Sequence, residues 1–240
     1  MNKGKITIGQ VVAEDYRTAK AFQKFDIDFC NEGRKSLKAA ADDKNIQLKN
    51  LWEEIERSKL ATQIRPNDFD TWDLDALADY IVETHHKYSE EQSLKIKHNL
   101  EKMIDKEGDP HPELLEIRDI FKTASGDMAS HMKKEELILF PFIKRVLKAK
   151  ENNTKIEAPS SRMENPINMM IHDHNDQMEG FKKIRNLTDN YTPPAGVSDL
   201  YNRTFVLLEQ LQQDLFKHIH LENNILFPKA IALGRKWTTA

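Results

Sequence analysis

His131-Met-Lys-Lys-Glu135-Glu-Leu-Ile-Leu-Phe-Pro141 and His218-Ile-His-Leu-Glu222-Asn-Asn-Ile-Leu-Phe-Pro228 are two copies of one pattern, H-x3-E-x2-I-L-F-P. A further histidine precedes each copy: His85 lies 46 residues before His131, and His174 lies 44 residues before His218. Each half of the repeat therefore reads as a helical hairpin that gives one His, then a His and a Glu. Residues i and i+4 stand one turn apart on the same helix face, with Cβ atoms about 5–6 Å apart. A His and a Glu so placed can reach one metal ion or bridge towards a second. Either feature alone is common by chance, and a lone His is more often structural than metal-bound. The same pattern occurring twice, each with its upstream His on an apolar phase, is what points to metal.

The flanking sequence supplies the helices that this reading needs. Leu77, Ile81, His85 and Tyr88 follow the rhythm of one helix face, as do Met170, His174, Met178 and Phe181. Prolines mark the joints, at Pro66, Pro110 with Pro112, Pro159 with Pro166, and Pro193 with Pro194. The chain is expected to be all-α, with bundle helices near 73–107, 111–150, 164–190 and 197–232 in antiparallel, up-down-up-down order. Residues 1–60 read as a small domain of short helices, 61–72 as a linker and 73–240 as the bundle. Within the small domain, the run from Asp28 to Gly33 is turn-like, with Gly33 a candidate for positive φ. Pro141 and Pro228 are expected to kink or end the helices that carry the repeat.

Four imidazoles and two carboxylates facing inwards could give each of two ions two nitrogens and a share of both carboxylates. Mixed imidazole and carboxylate ligation suits iron, with manganese and zinc as less favoured substitutes. The absence of nearby thiols argues against a structural zinc site. His86 sits about 100° round the helix from His85, so only one of the pair can lead inwards, and His85 is the expected ligand. His172 and His220 are two positions from expected ligands and should point elsewhere; His98 and His111 read as solvent-facing. Asp127, four residues before His131, and Asp173, next to His174, are candidate acceptors for a histidine N–H. Ferritin-like bundles need Glu-x-x-His twice, and only Glu83-x-x-His86 fits; the zinc-protease motif H-E-x-x-H is absent.

Composition excludes several partner classes. Charged residues make up 31% of the chain, but the net charge is −3, which leaves no basic footprint for nucleic acid. No apolar run approaches the roughly 20 residues of a membrane span. The first residues lack a secretory apolar segment, and a single cysteine, Cys30, excludes an internal disulfide. A cytoplasmic protein is expected.

With these residues in view, the chain resembles the hemerythrin-like proteins, and specifically the repair-of-iron-centres family. Asp15-Tyr-Arg-Thr-Ala and Ile27-Asp-Phe-Cys30 resemble that family's small N-terminal domain, while Ser130-His-Met-Lys-Lys-Glu135 and His218-Ile-His-Leu-Glu-Asn-Asn224 resemble its bundle. The resemblance covers nearly the whole chain. It implies a non-haem di-iron centre held by His85, His131, Glu135, His174, His218 and Glu222, with oxo- or hydroxo- and carboxylate bridging. It also implies a stress-response role in restoring iron–sulfur clusters damaged by nitric oxide or oxidants, by iron donation, by reduction of nitric oxide to nitrous oxide, or both. Damaged iron–sulfur proteins would be the recipients, and nitric oxide or dioxygen the small ligand. The family typically has two adjacent cysteines followed by Gly-Gly, whereas this chain has Cys30-Asn31-Glu32-Gly33, so a role needing a vicinal dithiol does not carry over.

A reversible oxygen carrier or sensor is the rival reading. Glu222 stands where a carrier would have a further histidine, and a shell richer in carboxylate favours ferric iron over stable oxygenation. A bundle that binds no metal is the third. A homodimer through the small N-terminal domain is compatible with the sequence, though no residue pattern specifies it.

Overall fold

The computed structural model describes residues 5–60, 68–157 and 161–239. The expected linker is described only from Asp68 onward, and Pro66 and Pro159 lie outside the described residues. The described chain is all-α apart from one two-residue pair of parallel strands, β1 (Ile156–Glu157) and β2 (Thr238–Thr239). It forms two compact units whose limits differ from the sequence division. One comprises residues 79–145 and 161–216; the other comprises 1–78, 146–160 and 217–240.

The first unit is a four-helix bundle. Its helices belong to four long runs: α5 (Leu74–Tyr80) leading through a turn at Ile81–His86 into α6 (Lys87–Glu107); α7 (Glu113–Lys134) leading through Glu135–Leu139 into α8 (Phe140–Glu151); α9 (Ser161–Leu187); and α10 (Asp199–Leu221). Ser198 Oγ donates to Glu107 Oε1 at 2.6 Å, and the rings of His111 and Tyr201 lie 5.2 Å apart. The end of α6 and the starts of α7 and α10 therefore meet at one end, as up-down-up-down order requires. An apolar stripe runs along each helix, including Ile96, Leu100, Ile117, Phe121, Phe181 and Leu208, all buried. Phe121 and Phe181 pack edge to face at 6.2 Å. Beside them α7 and α9 approach closely, because Gly180 faces Ala124 and a Cβ added there would lie 3.3 Å from the alanine methyl.

The turns at Ile81–His86 and Glu135–Leu139 are π-helical, and so is Glu222–Leu226, which joins α10 to α11 (Phe227–Trp237) in the other unit. Phe140 N–H bonds the carbonyl of Glu135, and Phe227 N–H bonds that of Glu222, each five residues back. Pro141 and Pro228 follow directly. Proline lacks an N–H and its ring collides with the carbonyl four residues earlier in a regular helix. A turn widened by one residue relieves that collision, so the helices continue through both prolines instead of ending there.

In the second unit, α1 (Ile8–Glu14) opens with a capping box: Thr7 Oγ1 accepts from Gln10 N–H at 3.3 Å, and Gln10 Oε1 accepts from Thr7 N–H at 3.0 Å. Helices α2 (Ala19–Lys24), α3 (Leu37–Asp43) and α4 (Leu48–Leu60) follow. Between α2 and α3, the Asp28 carboxylate accepts from Cys30 N–H at 3.0 Å and Asn31 N–H at 2.9 Å, which shapes the expected turn. Gly33 is needed for space and not for positive φ. A Cβ on it would sit 1.7 Å from Asn224 Oδ1, while the Asn224 amide donates to the carbonyls of Phe29 and Cys30 at 3.1 and 3.2 Å.

Gly33→Ala should therefore destabilise the protein by about 1–3 kcal/mol in denaturant unfolding, and Asn224→Ala in the same chain should recover part of that loss. Asp15 gives a pH signature. Burial opposes its ionisation, but hydrogen bonds and charge from Arg17, with Nη2 to Oδ2 at 2.6 Å, outweigh burial and lower its pKa. The folded chain thus holds this proton less tightly than the unfolded chain. The stabilisation is complete above the ordinary carboxylate value of 3.8 and is lost as pH falls below it. In acid unfolding curves Asp15→Asn should remove this part of the pH dependence.

Candidate metal centre

Three π-helical turns each carry a histidine or glutamate that chemistry would choose as a ligand. Glu135 opens one, Glu222 opens another, and His86 closes the third. In the bundle unit, α7 presents His131 and, one turn on, Glu135; their Nε2 and Oε1 lie 3.2 Å apart. The close approach of α7 and α9 sets His174 opposite His131, with the two Nε2 atoms 2.9 Å apart and the ring centroids 4.6 Å apart. From the neighbouring helical run His86 brings its Nε2 to 3.4 Å from Glu135 Oε2. All four side chains are buried, with at most 1% exposure.

His85, the expected ligand, is placed differently. Its Nδ1 lies 2.8 Å from Asp214 Oδ1 on α10, and His86 takes the position beside Glu135. The cause is the π turn. The extra residue between Ile81 and His86 advances the helix face by about 100°, so phase counted at 3.6 residues per turn selects the wrong member of the pair.

In the second unit, His218 Nε2 lies 2.9 Å from Glu222 Oε1, and both are buried. The structure thus brings together His131, Glu135 and His174 in one unit and His218 with Glu222 in the other.

Ionised carboxylates face the outer nitrogens of two of these rings. Glu136 Oε1 lies 2.9 Å from His86 Nδ1, and Asp173 Oδ2 lies 3.4 Å from His131 Nδ1 and 3.2 Å from Lys134 Nζ. Burial opposes ionisation of both, but hydrogen bonds from Lys133 and His86 to Glu136, and from Lys134 and His131 to Asp173, outweigh it and hold both pKa values down. A carboxylate at Nδ1 fixes the tautomer that leaves Nε2 as an electron-pair donor. His86 also stacks on Phe140 at 6.0 Å. Asp127 plays no such part: it is exposed and lines a groove with Asp176 and Gln177.

Glu136 and Asp214 were not anticipated from sequence. The repeat extends upstream as D-x3-H-x3-E, Asp127 matching Asp214, and that longer pattern marks Asp214. His220 and Cys30 sit in the second unit near the turn after α2. Burial depresses the His220 pKa to about 3 and pushes the Cys30 thiol well above its ordinary value, so both are neutral at neutral pH.

The donor chemistry fits a metal ion. Donors adjacent on an ion, each about 2.1 Å from it, lie roughly 3 Å apart. The donor atoms of His131, Glu135 and His174 lie within 4.8 Å of one another, two being nitrogens and one a carboxylate oxygen. Buried histidines and a buried glutamate facing each other across a helical bundle define a cation-binding bundle of the hemerythrin kind. Comparison with known proteins agrees. Residues 77–230 match the hemerythrin HHE cation binding domain, and residues 4–59 match a domain of unknown function, DUF542. The chain is 31% identical over 225 residues to the iron-sulfur cluster repair protein YtfE of Enterobacter sp. (strain 638), covering 94% of this chain and 96% of that protein. It is 31% identical over 232 residues to the protein of the same name from Pectobacterium carotovorum subsp. carotovorum (strain PC1), with the same coverage. Against the Escherichia coli O8 (strain IAI1) protein the identity is 29% over 225 residues. The chain belongs to this hemerythrin-type family of YtfE-like proteins.

His86→Gln should lower the metal bound per chain by roughly half, whereas His85→Gln should leave it within error of the parent, because only His86 faces Glu135. Elemental analysis of the two purified variants checks this.

Proposed function

We propose that this chain holds a pair of iron ions and works in the repair of iron–sulfur clusters damaged by nitric oxide or oxidants. The observation that carries the proposal is the buried set of His86, His131, Glu135 and His174, whose donor atoms face one another within a single unit. The name shared by relatives that align over nearly their whole length gives the biological setting.

The ligands would be His86, His131, Glu135 and His174, with His218 and Glu222 from the second copy of the repeat. His86 replaces His85 in the set expected from sequence. Manganese and zinc fit the same donors as substitutes. Each protein group has its own task. The imidazoles bind through Nε2. Asp173 and Glu136 hold the Nδ1 protons of His131 and His86, and so keep both rings oriented and electron-rich. Phe140 and the surrounding apolar side chains keep bulk water from the donors. When bound, iron supplies the redox and Lewis-acid chemistry for a diatomic ligand, or the cation that a damaged cluster has lost.

Iron–sulfur proteins are the proposed recipients, nitric oxide the proposed small ligand, and the cytoplasm the proposed setting. Among the described residues, no helix is long and apolar enough to cross a membrane.

Protein purified without an affinity tag should carry about two irons per chain by elemental analysis. His131→Ala and His218→Ala should each lose most of that iron. A cluster-repair assay should show activity falling to background in Glu135→Ala. Repair at the parent rate by iron-free protein would reject the proposal.

A further inference from the structure

The bundle has an unexplained polar seam beside the histidines. Between α6 and α7 lies a cavity of about 230 Å³, walled by Ser89 and Ser93 on one side and by Ser125, Met128 and Met132 on the other. Ser89, Ser125, Met128 and Met132 are buried to 98% or more, and Ser93 to 94%. A buried serine in a helix ordinarily spends its hydroxyl on a carbonyl one turn back. Ser58 donates to Ile55, Thr188 to Ile184, Thr204 to Leu200 and Ser125 to Lys122 in this way. Ser89 and Ser93 do not: among the described residues neither Oγ has a hydrogen-bond partner. Alanine would suit a helix better and leucine would fill the space. The two hydroxyls are aimed into a cavity that they help create.

Their register leads to the metal ligands. His86, Ser89 and Ser93 stand at i, i+3 and i+7, along one helix face. Met128 and Met132 flank His131 on α7 in the same way, one turn before it and one residue after. The outer rim carries Leu94, which is 70% exposed, and the Glu90–Lys133 ion pair at 3.1 Å. Lys133 also pairs with Glu136, the carboxylate on His86. The inner wall holds hydroxyls and thioethers but no charge. A bare ion would lose its hydration there without replacement. Water, about 30 Å³ per molecule in the liquid, or a diatomic gas finds both room and hydrogen-bond donors. Methionine has the torsional freedom to swing aside at the inner end.

We propose that this serine-lined cavity is the inlet by which water and neutral diatomic molecules reach the His86–His131 side of the centre. The inference rests on the metal reading above. It assigns Ser89 and Ser93 as positioning residues for the entering molecule and not as ligands.

The test plugs the cavity. In iron-loaded ferrous protein, Ser93→Leu should slow nitric oxide association about ten-fold or more in stopped flow, with dissociation slowed in parallel, so that equilibrium affinity and iron content stay at parent values. Ser93→Ala, which keeps the space, should associate at the parent rate. A second route avoids any folding defect: the folded Ser93→Cys protein is treated with a methylthiolating reagent, which places the plug after folding. The new thiol should react at least about ten-fold faster than buried Cys30, and nitric oxide association should then slow as in Ser93→Leu. Parent association rates in the plugged protein would overturn the inlet, and so would a new thiol that reacts no faster than Cys30, with iron bound or not. Iron content of the parent reports on the metal reading separately, so the two ideas fail by different measurements.

Discussion

A carboxylate with no exposure to water governs this molecule. Glu135 lies within 3.2 Å of His131 and 3.4 Å of His86. Removing such a group from water is costly unless other charges or a cation compensate it. The bundle supplies imidazoles from three of its four helical runs around that point, and their outer nitrogens meet Glu136 and Asp173, themselves tied to Lys133 and Lys134. Charge therefore alternates outward from the core: carboxylate, imidazole, carboxylate, lysine. A cation at the centre completes the alternation, and the apolar stripes of the helices hold the layers in register.

The backbone shows what this arrangement requires. A regular α-helix repeats its face every 3.6 residues, and long helices that must aim one particular side chain at a fixed point lack that freedom. Each π turn inserts a residue and resets the phase at the place where a ligand must point. The prolines that follow Glu135 and Glu222 then lock the wide turn, since a return to i→i+4 bonding at that position lacks an N–H. Sequence and geometry thus support one another, the Pro at the end of each repeat being part of what positions the Glu six residues earlier.

This also explains what could be read from the residues and what could not. The four long helices and the inward face of His131, Glu135 and His174 follow from periodicity and repetition, because α7 and α9 are regular over the stretch that sets those residues. His85 and His86 could not be ranked by counting, since a π turn leaves no periodic trace of its own and the two side chains differ by a single step. The division into units was hidden for another reason. The residues after Phe216 continue α10 without a break, yet Asn223 and Asn224 bond to the Phe29–Cys30 turn, and a contact spanning that much sequence has no local signal.

The two copies of the repeat have diverged at the two residues after the Glu, and the divergence says what each copy does besides hold a ligand. In the first copy Glu136 turns to His86, and Leu137 is exposed. In the second, Asn223 donates to Asn31 Oδ1 at 3.0 Å, and Asn224 fills the notch left by Gly9 and Gly33. Asn31 stands where the family typically has its second cysteine, and its amide is committed to Asp28 and Asn223. Cys30, buried with a raised pKa, is a thiol and not a thiolate at neutral pH, and a neutral thiol is a poor nucleophile and a poor ligand. In this chain the turn after α2 is built to bind the second copy of the repeat, which leaves the reactive chemistry to histidine, glutamate and the ion between them.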